Sequence, residues 1–167
     1  MQWYLLSQMK YFRIIRVKLE FRIGLRYTSD MAPQIPGDHM SVLPVILIVE
    51  DEDFLRSSLA DYLEDHGYVV LTAPTAENGL EQVARDHPDV CIVDIRLPDM
   101  NGNEFILRAH AMNPRIRFIV FTGSLEYSLP DSLLESGLSE SDILFKPLMD
   151  MSILLDKITY AFSANPS

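Results

Sequence analysis

The chain has little cysteine. Cys91 stands alone in 167 residues, so no internal disulfide can form. It lies inside the apolar run Val90-Cys91-Ile92-Val93, which makes it a small core residue at home in a reducing compartment. The sequence also lacks a long apolar stretch. The longest, Val42 to Val49, is interrupted by Pro44 and falls far short of the roughly 20 residues a membrane span needs. Basic residues are scarce outside the first 42. That segment holds six Lys or Arg against three acids, a net of +3, while the remainder holds 8 basic and 21 acidic residues, a net of −13. A body so acidic has no basic footprint to neutralise phosphates, which argues against direct nucleic-acid binding. Metal-ligand spacing among histidines is missing too: His66, His87 and His110 fall singly near helix ends or on helical surfaces, where solvated or capping roles are the rule.

What is present divides in two. Residues 15–27, IRVKLEFRIGLRY, alternate apolar and polar without a slip, the period of a half-buried strand. They have no apolar core after their charged start, so they do not read as a secretory signal. Ala32-Pro33-Gln34-Ile35-Pro36-Gly37-Asp38 follows as a linker by composition. We read residues 1–42 as a basic N-terminal extension and linker. A start codon set too far upstream would account for it, since Met40 directly precedes the first core strand. The intact mass of the protein from its own cell decides that point, and a full-length species would end it.

From Val45 strands and helices alternate. Val45 to Val49 is a buried run ending in Glu50-Asp51-Glu52-Asp53, followed by a helix with Leu55, Leu59, Tyr62 and Leu63 on one face and Gly67 as its stop. Tyr68 to Ala73 is the second strand, and Thr75 caps a helix with Ala76, Leu80, Val83 and Ala84 inward. Val90 to Val93 is the third strand and Asp94 stands at its end. Phe105, Ala109 and Met112 mark the next helix, Arg117 to Phe121 the fourth strand, Pro130 to Ser136 a short helix, and Asp142 to Phe145 the fifth strand. Leu154, Ile158, Ala161 and Phe162 line the last helix. Five such units predict an α/β, doubly wound, five-stranded parallel sheet with right-handed crossovers and helices on both faces, spanning residues 43–163, with 164–167 as a tail.

Parallel strands put their carboxyl ends on one edge, where open α/β sheets bind ligands. Glu50-Asp51, Asp94, Thr122 and Lys146 each follow a different strand. Three carboxylates gathered there repel one another, each pair at 4 Å by about 1 kcal/mol in water and about 4 at an effective dielectric of 20. A divalent cation with oxygen ligands, completed by water and a substrate phosphate, relieves this and suits Mg²⁺. Lys146 supplies a point charge for a phosphoryl oxygen, Thr122 a hydroxyl donor, and Asp94 the natural nucleophile. Each residue alone has a plain structural explanation; four coincidences at four strand ends are much harder to explain that way.

VILIVEDED, DVCIVDIRLPDMNG, FIVFTG and ILFKP, in that order and spacing from about Pro44 to Phe162, resemble the receiver domain of bacterial two-component response regulators. The resemblance implies a flavodoxin-like strand order 2-1-3-4-5. It further implies that Asp94 accepts a phosphoryl group from a sensor histidine kinase or phosphotransfer protein, and that Thr122 and Lys146 bind the phosphoryl oxygens. Asp51, Asp94 and the backbone carbonyl of Arg96 would hold Mg²⁺, with Glu50 acting through water. Two departures stand out. Most members carry Tyr or Phe three residues before the lysine, and here that residue is Ile143; Phe145, on the same side of the strand by alternation, is a candidate substitute. A structure bound to a phosphoryl mimic with Ile143 and Phe145 unmoved would refute the substitution. The approach from Gly137 to Lys146 is also about two residues longer than the common pattern, and Arg96 and Ser124 flank the site where they would tune hydrolysis of the acyl phosphate.

One helix follows the lysine strand. The expectation is therefore a cytoplasmic, stand-alone receiver that signals by contact with a downstream protein partner or passes phosphate on, through the face of the fourth helix, fifth strand and fifth helix. It is not an enzyme beyond its own phosphotransfer and dephosphorylation. An aspartyl-nucleophile phosphatase would want a second carboxylate two residues after the nucleophile, where Arg96 stands. A phosphate-independent binding module finds its support in Ile143 alone.

Overall fold

The computed structural model describes residues 44–163, so the alternating segment 15–27 and the tail 164–167 lie outside the described residues. Five strands, β1 (Val45–Val49), β2 (Val69–Ala73), β3 (Val90–Val93), β4 (Arg117–Thr122) and β5 (Ile143–Phe145), form one parallel sheet in the order β2-β1-β3-β4-β5. Between and after them run α1 (Asp53–Asp65), α2 (Ala76–Asp86), α3 (Gly102–Met112), α4 (Asp131–Glu135) and α5 (Ser152–Ser163). Register is set by continuous apolar pairing: Ile46, Leu47, Ile48 and Val49 of β1 face Val90, Cys91, Ile92 and Val93 of β3. Both neighbours of β1 are parallel, so the chain leaves it in opposite directions through β2 and β3. That reversal opens a crevice at the carboxyl ends of β1 and β3.

Strand alternation divides the core into two layers. Leu47, Val49, Cys91, Val93 and Val120 pack with Phe105, Ile106, Ala109 and Leu133 under α2, α3 and α4. Ile46, Ile48, Ile92, Ile119 and Phe121 pack with Leu59, Leu63, Leu154 and Ile158 under α1 and α5. Three inward positions expected from periodicity are outside: Ala84 and Met112 are exposed, as is Phe162 near the end of α5. Gly79 takes the inward place on α2 instead. A Cβ there would sit 2.8 Å from the ring of Phe105, so the bulk at this helix crossing comes from α3.

Helix ends are written locally. The Thr75 hydroxyl accepts from the Asn78 N–H, and Asn101 Oδ1 accepts from the Asn103 N–H. Gly67 (φ 88°) and Gly137 (φ 95°) close α1 and α4 in the left-handed conformation. In each case the glycine N–H and the N–H after it reach back to carbonyls of the last turn: Gly67 to Glu64 and Tyr68 to Leu63, Gly137 to Leu134 and Leu138 to Leu133. The long approach to β5 is taken up by a 3₁₀ turn, Glu140–Asp142, held by reciprocal hydrogen bonds between Ser139 and Asp142.

Candidate functional site

Glu50 and Asp51 follow β1 directly, Asp94 follows β3, Thr122 ends β4 and Lys146 follows β5. The sheet therefore brings every residue singled out at these strand ends to one edge. Ladder hydrogen bonds fix their backbones: Glu50 N–H to the Ala73 carbonyl at 3.1 Å, Asp94 N–H to Val49 at 2.9 Å and Lys146 N–H to Thr122 at 2.8 Å. One carboxylate oxygen from each of Glu50, Asp51 and Asp94 lies within 4.8 Å of the others. Glu50 and Asp94 are buried and Asp51 is exposed, so the cluster opens to solvent on the Asp51 side.

Lys146 crosses this group. Its ammonium donates to Glu50 Oε2 at 2.6 Å and to Asp94 Oδ2 at 2.9 Å, and lies 5.3 Å from the centre of the Phe121 ring. Burial pushes the Glu50 carboxyl above its ordinary value, and the hydrogen bond and charge of Lys146 recover only part of that. Burial also pulls the Lys146 ammonium down, but its hydrogen bonds to Glu50 and Asp94 outweigh this and hold it above the ordinary lysine value. The lysine thus remains charged and bridges two acids.

The backbone around Asp94 is shaped by close approach. Asp94 Oδ1 accepts the Arg96 N–H at 3.2 Å, and Arg96 makes an antiparallel bridge to Asn101 that folds the loop back. At the start of α3 a Cβ on Gly102 would stand 2.3 Å from the Asp94 carbonyl oxygen and 2.7 Å from the Ile95 Cα, so glycine is required there by space and not by torsion. Thr122 is fully buried, and its hydroxyl accepts the Ser124 N–H at 3.2 Å.

Three contributors were not evident in the sequence. The Arg56 guanidinium donates to the Glu50 carbonyl at 2.7 Å and the Asp51 carbonyl at 3.3 Å and pairs with Asp53, pinning the acidic loop to α1. Six residues separate Arg56, in the first turns of α1, from Glu50 in the loop before it. Asp99 and Tyr127 reach across 22 to 24 residues, Asp99 to the Ala76 and Glu77 N–H groups and Tyr127 to Asn103, and no local pattern announces either. Ile143 is 7% exposed and packs in the core under α4, whereas Phe145 is 37% exposed at the sheet rim. A cleft of about 180 Å³ lined by His110, Arg117, Phe118 and Tyr160 lies at the opposite, amino edge of the strands, away from all of this chemistry.

The donor set suits a hard divalent cation: all three groups are carboxylates, one is open to water, and a half-buried lysine offsets part of their charge. No helix among the described residues is long and apolar enough to cross a membrane.

A family model described as the response regulator receiver domain matches residues 46–159. A cyclic di-GMP phosphodiesterase of Thermotoga maritima is 33% identical over 116 residues, 70% of this chain and 30% of that protein. The KDP operon transcriptional regulatory protein KdpE of Escherichia coli is 39% identical over 104 residues, 61% of this chain and 44% of that protein. The chain thus spans less than half the length of either curated relative. Among solved structures, a CheY-like response regulator receiver domain protein from Methanospirillum hungatei is 34% identical, with a TM-score of 0.65 over 73% of this chain and 95% of that one.

Proposed function

The chain belongs to the response regulator receiver domain family, and from that premise we propose that it is a phosphorylatable receiver whose acceptor is Asp94. The observation that supports this most directly is the placement of the Asp94 carboxylate, buried at the crevice between β1 and β3, 2.9 Å from the Lys146 ammonium and beside Glu50 and Asp51. In this reading an Asp94 oxygen attacks the phosphorus of a phosphohistidine on a sensor histidine kinase or phosphotransfer protein. The new O–P bond forms as the P–N bond breaks, and the imidazole leaves with the electron pair and takes up a proton. Lys146 then turns one of its hydrogen bonds from a carboxylate to a phosphoryl oxygen, and the Thr122 hydroxyl donates to another.

Receiver domains bind Mg²⁺ through acidic residues. Here Asp51, Asp94 and the Arg96 carbonyl would hold it, with Glu50 acting through water. When bound, the ion offsets the negative charge on the transferring group. The phosphorylated form signals in the cytoplasm by contact with a downstream protein or passes the group on, without direct contact to nucleic acid.

The test is incubation with acetyl phosphate and Mg²⁺ followed by intact mass. Wild type gains one phosphoryl group and Asp94→Asn gains none. Absence of uptake by wild type favours the second reading, a phosphate-independent module, which the apolar, buried Ile143 supports.

A further inference from the structure

The loop at residues 123–130 carries the chain from Thr122 to α4, and three hydrogen bonds fasten it along its length. At its start the Ser124 N–H reaches the Thr122 hydroxyl at 3.2 Å, in its middle the Tyr127 hydroxyl donates to Asn103 Oδ1 at 2.6 Å, and near its end the Leu129 N–H reaches Glu140 Oε1 at 3.1 Å. These anchors belong to three different parts of the molecule. Thr122 is at the site, Glu140 is in the turn that enters β5, and Asn103 is the second residue of α3.

Asn103 matters because of its neighbour. Gly102 donates its N–H to the Ile95 carbonyl at 3.0 Å and leaves no room for a Cβ beside the Asp94 carbonyl, so the start of α3 is packed directly against the Asp94 backbone. Half-buried Tyr127 packs its ring against the core layer under α3 and α4. Burial and the nearby Glu140 charge push its phenol up to about 12, which keeps the donor protonated. Ile143, the side chain of β5 in the same layer, has no group with which to make such a link.

We propose that the Tyr127–Asn103 hydrogen bond positions the loop after β4 and couples it to the backbone of Asp94, so that Tyr127 carries a change at Asp94 to Leu129, α4 and the entry to β5. This rests on the reading of Asp94 as the phosphoacceptor. Tyr127 is a positioning residue: it touches no reacting atom, and its hydroxyl acts through Asn103 and Gly102.

Tyr127→Phe keeps the ring and removes the link; Asn103→Ala removes the acceptor independently. For wild type, each single variant and the double variant, phosphoryl uptake from acetyl phosphate is measured by intact mass. Amide hydrogen exchange over residues 129–145 is measured before and after beryllium fluoride with Mg²⁺. Uptake stays at the wild-type level in all four, while the exchange response falls about fivefold in each single variant and no further in the double, as expected for one shared hydrogen bond. A wild-type response in Tyr127→Phe, or additive losses in the double variant, overturns the coupling alone. Failure of wild type to take up a phosphoryl group overturns the reading of Asp94 and the coupling together.

Discussion

Lys146 stands between two buried acids, and its removal isolates the energetics of the site from its chemistry. Methionine fills nearly the same space without charge, so Lys146→Met leaves Glu50 and Asp94 facing one another with no cation between them. We expect a loss of about 3–5 kcal/mol in metal-free urea unfolding, the range for stripping a buried pair of one partner. Stability equal to wild type would mean that solvent already compensates the two carboxylates. At this scale the sequence was informative about which residues meet and less so about what they do on meeting. It placed Glu50, Asp51, Asp94, Thr122 and Lys146 at one edge because each ends or follows a strand. That the lysine rests on the carboxylate of Glu50 depends on side-chain reach across 96 residues, which no local pattern encodes.

Elements show the same division between near and far. Thr75 and Gly67 were legible as helix boundaries because a cap acts within three or four residues. The other half of the α2 terminus was not. Asp99, in the loop after β3, accepts the Ala76 and Glu77 N–H groups at 3.0 and 2.9 Å, completing the set that Thr75 begins. Its slight burial raises the carboxyl, but these N–H donors outweigh that and hold it below the ordinary 3.8. A group depressed in the folded state stabilises above its unfolded pKa and loses that contribution as pH falls through the folded value. Asp99→Ala should therefore cost about 1 kcal/mol near neutral pH, with the difference from wild type closing as the pH falls below the ordinary carboxylate range. Thermal unfolding from pH 2 to 7 measures it, and a constant difference across that range would refute the ionic cap. Ala84 and Gly79 make the complementary point: helical period marked the right face of α2, but the ring of Phe105 decided which residue could occupy its centre.

For the whole molecule, the excess of acid over base makes two kinds of cation separable. Monovalent salt screens general repulsion over a Debye length of about 10 Å at 0.1 M, whereas an ion held by the three strand-end carboxylates adds stability by mass action, about 2.7 kcal/mol at 100 times its dissociation constant. Mg²⁺ should raise the melting temperature above NaCl of equal ionic strength, and Asp51→Asn should erase that excess while leaving the salt response intact. Equal responses of wild type to both salts would remove the ion site, and an excess that survives in Asp51→Asn would remove Asp51 from it. The order of the sheet, finally, gives the chain a timetable. Glu50 and Asp94 follow β1 and β3, two adjacent inner strands, and can assemble once β3 is made, but their cation arrives with Lys146, after β4 and β5 have joined the edge. A ribosome-bound or truncated chain ending before residue 146 holds Glu50 and Asp94 without the ammonium that bridges them, so the cluster of strand-end side chains is complete only once the last strand has been made.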